Sequence, residues 1–263
     1  MPVRQLDDCG LNADEARRGV DVLAAKRGQL AQRKLQAADG PLDGGFGVAG
    51  QLDPIVRHLQ LARVSRHPYG MTATCIVLNG TSSSGKSSIA AALQELWPRP
   101  LQVTGIDTFL AAQSKRFFAI DGRVVAGFSW VPVTVDGQPV FEWIPGPLGL
   151  GVIRASHAYW AACAGAGLDQ VIDDVWLVPD QPAGLQDALF AANTLWVGVH
   201  CPLAIAEQRE RERGDRLVGT VRGQHVLVHT FRKYDADVDT SVATPQECAE
   251  AILAVLDARF SDG

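Results

Sequence analysis

The fold of this 263-residue chain is decided by one stretch, Cys75-Ile76-Val77-Leu78-Asn79-Gly80-Thr81-Ser82-Ser83-Ser84-Gly85-Lys86-Ser87. Its second part matches the pattern G-x-x-x-x-G-K-[ST], in which the glycines let the backbone approach a phosphate group closely. The apolar run before the pattern is typical of a buried parallel strand. The run Ser88–Trp97, rich in Ala and Leu, predicts a helix that stops before Pro98. A strand, a glycine-framed loop and a helix in this order predict a phosphate-binding loop.

The residue types in this loop predict how a nucleotide would be held. Backbone N–H groups of the loop and the positive end of the following helix attract phosphate oxygens. Lys86 is expected to bridge the β- and γ-phosphates of ATP, and the Ser87 hydroxyl is expected to bind Mg²⁺. The alternative, a chance turn rich in Gly and Ser, is disfavoured because both flanks have the required pattern. The residues predicted to bind the nucleotide are Gly80, Thr81, Ser82, Ser83, Ser84, Gly85, Lys86, Ser87 and Ser88.

Composition narrows the class of protein and its partners. The chain is 47% hydrophobic and 20% charged, which is ordinary for a globular protein. No apolar run approaches the ~18 residues of a membrane helix, and the N-terminus lacks the apolar core of a signal peptide. We therefore expect a cytoplasmic protein with reduced cysteines and no membrane partner. The net charge of −5 argues against a nucleic-acid partner, and a homo-oligomer is left open.

Two regions follow one another along the chain. Residues 1–70 predict an N-terminal extension, with a helix from Asn12 to about Leu35 and a Gly-rich linker after it, loosely ordered against the rest. Residues 71–263 predict a P-loop kinase domain, and Met71 is an alternative start of the protein.

The second region alternates strands and helices. This alternation predicts an α/β fold of the P-loop NTPase class, with a parallel five-stranded sheet covered by helices on both faces. A further helix is expected over Leu217–His229, and the stretch 121–150 predicts an insertion with a small hairpin at Val133–Val140. The five strands are expected at Thr74–Leu78, Leu101–Ile106, Gln170–Ile172, Leu195–Val199 and Ala236–Val238.

Acidic residues at the ends of two predicted strands are candidates for chemistry, because ligands of parallel sheets bind beyond the carboxyl ends of the strands. Asp107 follows the second strand and is expected to take the proton of an acceptor hydroxyl. The alternative is an N-cap for a helix that starts at Thr108. Asp173 and Asp174 end the third strand and resemble a Walker B segment that holds Mg²⁺. For this pair the alternative is again a helix cap or a turn, and the sequence does not choose between the two aspartates.

A basic cluster spans residues 209–216, with a glycine at position 214. A solvated helix has a similar alternation of Arg and Glu, but the glycine break indicates a hinge. We expect a mobile lid there, in which Arg213 and Arg216 neutralise the charge of the transferring phosphate. Arg209 and Arg211 are expected to form surface ion pairs.

Several segments together resemble the chloramphenicol 3-O-phosphotransferase family, in the same order and over about residues 73–250. The similar segments are Ile76–Ser87, Gly105-Ile106-Asp107-Thr108-Phe109, Asp173-Asp174-Val175-Trp176-Leu177, Leu195–Val199, Arg213-Gly214-Asp215-Arg216 and Tyr234–Thr240. The resemblance implies a nucleoside-monophosphate-kinase-like fold. It also implies transfer of the γ-phosphoryl group of ATP, with Mg²⁺, to the primary hydroxyl of chloramphenicol, which inactivates this antibiotic.

The resemblance assigns roles by position. It implies that Asp107 is the base, that Lys86 and Ser87 contact phosphate and metal, and that Arg213 or Arg216 is the lid arginine. Two other functions stay open for the same loop. One is a kinase of the zeta-toxin kind that acts on a sugar nucleotide, for which only Lys115, Arg116, Arg123 and Arg154 offer charge near the acceptor. The other is an ATPase switch that modifies no acceptor.

Overall fold

The computed structural model describes residues 72–135, 137–214 and 217–260. The predicted extension over residues 1–70 and the alternative start at Met71 lie outside the described residues, so the boundary between the two regions stays a prediction. In chain order the strands and helices are β1 (Thr74–Asn79), α1 (Lys86–Leu96), β2 (Leu101–Gly105), α2 (Ile106–Ala111), β3 (Phe118–Ala119), β4 (Phe128–Val135), β5 (Gln138–Pro145), α3 (Pro147–Gly165), β6 (Asp169–Asp174), α4 (Asp180–Ala188), β7 (Asn193–His200), α5 (Leu203–Arg213), α6 (Thr220–His225), β8 (Ala236–Asp239) and α7 (Pro245–Phe260).

The main sheet has five strands in the order β2-β6-β1-β7-β8, and every neighbouring pair is parallel. This confirms the predicted five-stranded parallel sheet. Because parallel strands have their carboxyl ends at the same edge, the loop after β1 meets the ends of β2 and β6 at that edge. The site described below lies there.

The central strand β1 is buried on both faces, which explains its unbroken apolar run. Ile76 and Leu78 belong to one core cluster together with residues of α1 and α7. Cys75 and Val77 belong to a second cluster with residues of α3, α4 and β6. Successive side chains of a strand point to opposite faces, so this alternation shows helices packed on both sides of the sheet.

The insertion before α3 contains a larger hairpin than the sequence predicted. The prediction placed a small hairpin at Val133–Val140, whereas β4 and β5 pair antiparallel from Phe128↔Pro145 to Val135↔Gln138. Pro132 lies inside β4, although proline is disfavoured within a strand because it cannot donate to the hydrogen-bond ladder. Aromatic packing across the hairpin, with Phe128 and Trp143 stacked at 5.5 Å between ring centroids, supports the longer pairing. The outcome is a small second sheet in the order β3-β4-β5.

The helix predicted over Leu217–His229 was too long. Only Thr220–His225 is helical, and Gly219, with φ of +98°, precedes its first residue. A Cβ atom added to Gly223 would lie 2.2 Å from the carbonyl oxygen of Phe141. The glycine therefore allows the short helix α6 to lie directly against β5, and a longer continuous helix is not formed.

The last helix and two further strands lie where the sequence predicted them. Helix α7 covers Pro245–Phe260 as predicted, and β6 and β7 are each longer than predicted at both ends. Within the described part of the chain, no helix combines the length and the apolar character that a bilayer crossing requires.

Candidate functional site

The loop between β1 and α1 has the backbone that close contact with a phosphate requires. Gly85 has φ of +98° and Ser83 has φ of 60°, both in the left-handed region. A Cβ atom on Gly80 would lie 2.4 Å from the carbonyl oxygen of Val199, so only glycine fits there. The hydroxyls of Ser83 and Ser84 are buried and find no hydrogen-bond partner among the residues that the structure describes. These hydroxyls, with the N–H groups that a helix presents at its start, form a donor set that fits phosphate oxygens.

Lys86 lies inside this loop. Its side chain is buried, and Nζ donates to the carbonyl oxygens of Gly80 at 3.0 Å and Thr81 at 2.8 Å. The same Nζ lies 3.6 Å from Oδ1 of Asp173. The ammonium group is thus held at the carboxyl edge of the sheet, where the sequence predicted it.

The structure separates the two aspartates that end β6. Asp173 Oδ2 accepts a hydrogen bond from Ser87 Oγ at 2.7 Å, so this carboxylate lies beside both Ser87 and Lys86. Asp174 is buried on the other side, where it accepts hydrogen bonds from the backbone N–H of Val175 at 2.8 Å and from Trp176 Nε1 at 3.0 Å. Because of this geometry, Asp173 is the candidate metal ligand and Asp174 anchors the chain after the strand.

Burial raises the pKa of Asp174 from its ordinary value of 3.8 to about 6. The folded protein then binds more protons than the unfolded chain between these values, so this group lowers stability as pH rises from about 4 to about 6. Asp174→Asn removes the cost of an ionised carboxylate. We therefore expect the stability of Asp174→Asn relative to the wild type to increase by about 2–3 kcal/mol between pH 4 and pH 8. The melting temperature of the variant should rise relative to that of the wild type over the same range. Thermal melts of both proteins across this range measure the difference, and a difference that does not vary with pH would contradict the assignment.

Asp107 lies at the same edge, although not where either sequence reading put it. Strand β2 ends at Gly105, one residue earlier than predicted, and Asp107 is the second residue of α2. The capping alternative is also wrong, since the residue that precedes the helix is Gly105. A Cβ atom on Gly105 would lie 2.1 Å from the carbonyl oxygen of Asp173, so β2 and β6 approach closely there. This approach places Asp107, which is exposed, and Asp173, which is half-buried, on the lining of one cavity.

The cavity has a volume of about 900 Å³ and joins two unlike surfaces. One surface is the phosphate-binding loop with Lys86, Ser87 and Asp173. The other comes from α2 and the hairpin region, and its large side chains are Leu110, Phe118, Ile120, Trp130 and Trp143. We call this second surface the aromatic wall. A volume of this size has room for a nucleotide and part of a second small molecule.

One arginine of α5, Arg209, departs from the sequence prediction. Arg209 was expected to form a surface ion pair, but it lines the cavity, and its guanidinium donates to Oγ1 of Thr240 at 3.0 Å and to the carbonyl oxygen of Thr240 at 2.9 Å. Arg213 lines the cavity as expected, Arg211 is exposed, and Arg216 lies outside the described residues. Residues four apart share a helix face, so the spacing of Arg209 and Arg213 was a signal that could have grouped them.

Gln224 is a second residue that sequence reasoning missed. Its carboxamide oxygen accepts a hydrogen bond from the backbone N–H of Ser82 at 2.7 Å, and it lines the same cavity. The two residues are 142 positions apart in the chain. A contact between residues this far apart is not predicted by any of the motifs in the sequence.

The fold and the site define a P-loop α/β protein whose phosphate-binding loop opens into a cavity with an aromatic wall. A family model described as "Chloramphenicol phosphotransferase-like protein" matches residues 73–257, and the chain belongs to this family. It is 32% identical over 202 residues to proteins assigned as O-phosphotransferases in two strains of Mycobacterium tuberculosis, CDC 1551 / Oshkosh and ATCC 25618 / H37Rv. Each match covers 73% of this chain and 85% of the relative. The protein is therefore a phosphotransferase.

A solved structure supports the fold independently of these sequences. APS kinase of Mycobacterium tuberculosis, determined in complex with AMPPNP and APS, matches 71% of this chain and 98% of its own length. The TM-score is 0.50 and the sequence identity is 14%. At this identity the likeness concerns the fold alone, and it agrees with the expected kinase-like architecture.

Proposed function

We propose that the protein transfers the γ-phosphoryl group of ATP to an alcohol of a neutral, aromatic small molecule, with chloramphenicol as the model acceptor. The single observation that carries this proposal is the shared cavity, which joins the phosphate-binding loop to the aromatic wall and has Asp107 on its lining. Inactivation of such an antibiotic would be the biological result.

The charge of the cavity lining argues for a neutral acceptor. Among the described residues, its cationic side chains are Lys86 of the loop and Arg209 and Arg213 of α5. The aromatic wall and the neighbouring parts of β2 and α2 contribute none. An anionic acceptor would leave its charge without a partner on this wall, which is costly in an apolar site. Flat apolar groups, in contrast, pack well against Trp130 and Trp143.

The proposed chemical step is an in-line displacement. The carboxylate of Asp107 accepts the proton of the acceptor hydroxyl while the hydroxyl oxygen forms a bond to the γ-phosphorus. The bond between this phosphorus and the β–γ bridging oxygen breaks, and ADP leaves with that oxygen. Lys86 and Arg213 stabilise the negative charge on the transferring group. Arg216, beyond the described residues, stays the alternative to Arg213 in this role.

The residues beside the loop also fit a metal ion. Ser87 Oγ and a carboxylate oxygen of Asp173, already 2.7 Å apart, are hard oxygen ligands of the kind that Mg²⁺ prefers. When bound, Mg²⁺ would supply positive charge to the phosphates. Asp173, and not Asp174, is the proposed carboxylate ligand because only Asp173 contacts Ser87.

Arg209 is proposed to contact the bound nucleotide, since its guanidinium is fixed by Thr240 and Thr240 Oγ1 donates in turn to the loop carbonyl of Ser84 at 2.7 Å. We expect Arg209→Ala to raise the KM for ATP by about tenfold, the loss of one or two charge-assisted hydrogen bonds. Arg211→Ala is the matched control, because Arg211 is exposed on the same helix. Steady-state kinetics test both variants, and equal effects would contradict the role of Arg209.

The two other functions fit the structure less well. A sugar-nucleotide kinase would need cations near the acceptor, and the four basic residues considered for it, Lys115, Arg116, Arg123 and Arg154, are exposed and outside the cavity lining. An ATPase switch would need no acceptor surface, whereas the aromatic wall faces the same cavity as the loop.

A product assay separates the three functions. The protein is incubated with ATP labelled in the γ-phosphate, Mg²⁺ and one candidate acceptor at a time. We expect label in chloramphenicol or in another neutral aromatic alcohol. Label in a sugar nucleotide, or release of free phosphate with every acceptor tried, would replace the proposal with one of the alternatives.

A further inference from the structure

Helix α6, which carries Gln224, contacts the hairpin of β4 and β5 as well as the phosphate-binding loop. The backbone N–H of Phe141 in β5 donates to the carbonyl oxygen of Gly219 at 3.3 Å. Gly223 packs so closely on Phe141 that a Cβ atom would meet its carbonyl oxygen at 2.2 Å. Two residues beyond Phe141, Trp143 pairs with Trp130 in the aromatic wall. Helix α6 thus lies between the aromatic wall and the phosphate-binding loop.

Helix α6 is also clamped to α5 by a buried carboxylate. Glu210 is 1% exposed, and its two oxygens accept hydrogen bonds from the backbone N–H groups of Gly219 and Val221, each at 2.9 Å. An ion pair between Arg222 and Glu207 at 2.6 Å adds a further link. These contacts fix α6 to α5, as its packing on Phe141 fixes it to β5.

Gln224 is therefore the one side chain of α6 that the structure connects by a hydrogen bond to the phosphate-binding loop, among the contacts of the described residues. It is half-buried, and its bond to the Ser82 N–H is short for a neutral amide. Ser82 itself is only 9% exposed. Loss of this contact would leave a buried backbone donor without a partner, which costs more than an average hydrogen bond contributes.

We propose that Gln224 is a positioning residue that couples the aromatic wall to the phosphate-binding loop. Its carboxamide oxygen holds the Ser82 N–H in the nucleotide-free and the nucleotide-bound protein alike. Ordering of the loop by a nucleotide then also orders α6 and the strand β5 that packs on it, which prepares the acceptor surface. The inference rests on the proposed function in one respect, namely that the loop binds a nucleotide.

Hydrogen exchange measured by mass spectrometry on the full chain tests this coupling without any acceptor. The probe is AMP-PNP with Mg²⁺. In the wild type we expect slower exchange on binding in three segments, residues 80–88, 219–228 and 138–145. In Gln224→Ala we expect protection of residues 80–88 to persist and protection of the other two segments to disappear. A purely structural role would raise exchange in α6 equally with and without the probe, and the difference that the probe causes would then be unchanged.

Two further variants sharpen the test. Gln208→Ala is the matched control, because Gln208 is exposed on α5 and its carboxamide donates to Glu212 on the same helix at 2.8 Å. This variant should behave as the wild type. Gly223→Ala keeps Gln224 but forces α6 away from β5, so protection should be lost in residues 138–145 alone.

Three results would overturn the inference. The first is protection of residues 138–145 that persists in Gln224→Ala. The second is faster exchange of α6 when the probe binds to the wild type, since this would make Gln224 a competitor of the phosphate. The third is an absence of protection in residues 80–88 of the wild type when AMP-PNP is added. This result would overturn the proposed function as well, whereas the first two results leave nucleotide binding by the loop intact.

Discussion

Asp107→Asn should lower kcat by roughly 10²–10⁴-fold while the affinity for ATP stays close to that of the wild type. Asn keeps the size of the side chain but cannot accept a proton, so the acceptor hydroxyl loses its base. Asp107 is exposed at the start of α2, away from the buried core, and the substitution should not disturb folding. Steady-state kinetics with the acceptor found in the product assay, and calorimetric titration with ATP, measure the two quantities.

Asp121→Asn is the control for this experiment. Asp121 is exposed in the insertion that follows α2, pairs with Arg123 at 2.8 Å and does not belong to the cavity lining. The control should retain full turnover. Near-normal turnover in Asp107→Asn, or an equal loss in both variants, would end the assignment of Asp107 as the base.

Lys86→Met should reduce kcat/KM for ATP by roughly 10²–10³-fold, the usual loss when one preorganised group that stabilises the transition state is removed. Methionine has a similar length but no charge, so the phosphates lose their closest cation. The loop also loses the hydrogen bonds from Nζ to the carbonyl oxygens of Gly80 and Thr81. A thermal melt of the variant therefore accompanies the kinetics, to separate lost phosphate binding from lost loop structure.

Lys115→Met is the matched control, because Lys115 is exposed and lies outside the cavity lining. It should leave both ATP binding and turnover unchanged. If Lys86→Met retained the kinetics of the wild type, the loop would not hold the nucleotide in the proposed way, and the whole assignment of the site would fail with it.

Much of the architecture could be predicted because it depends on local patterns. The apolar run of β1, the glycine-framed loop and the Ala-rich start of α1 are contiguous in the chain, and each has a clear physical signature. The position of Asp173 at the end of β6, and of Asp107 just beyond the end of β2, followed from the parallel sheet, in which all carboxyl ends share one edge. The end of β2 was misplaced by one residue because Ile106, an apolar residue, begins a helix and is not the last residue of the strand.

Long-range contacts escaped prediction for the opposite reason. The hairpin was underestimated since its pairing depends on aromatic contacts across strands, which compensate for the proline within β4. The sequence predicted Arg209 as a surface residue, because its partner Thr240 lies 31 positions further along the chain. Gln224 meets Ser82 across 142 positions of the chain, a contact that forms only when α6 packs beside the phosphate-binding loop.

The sequence by itself determined that a phosphate-binding loop lies at the end of a buried parallel strand, with acidic residues of neighbouring strands at the same edge. These features follow from hydrophobic periodicity and from the backbone freedom of glycine, which act over a few residues. Only the tertiary structure decided which aspartate faces Ser87, which arginine faces the cavity and which surface receives an acceptor. Those choices depend on burial and on hydrogen bonds between residues far apart in the chain, and such contacts exist only once the helices have packed on the sheet.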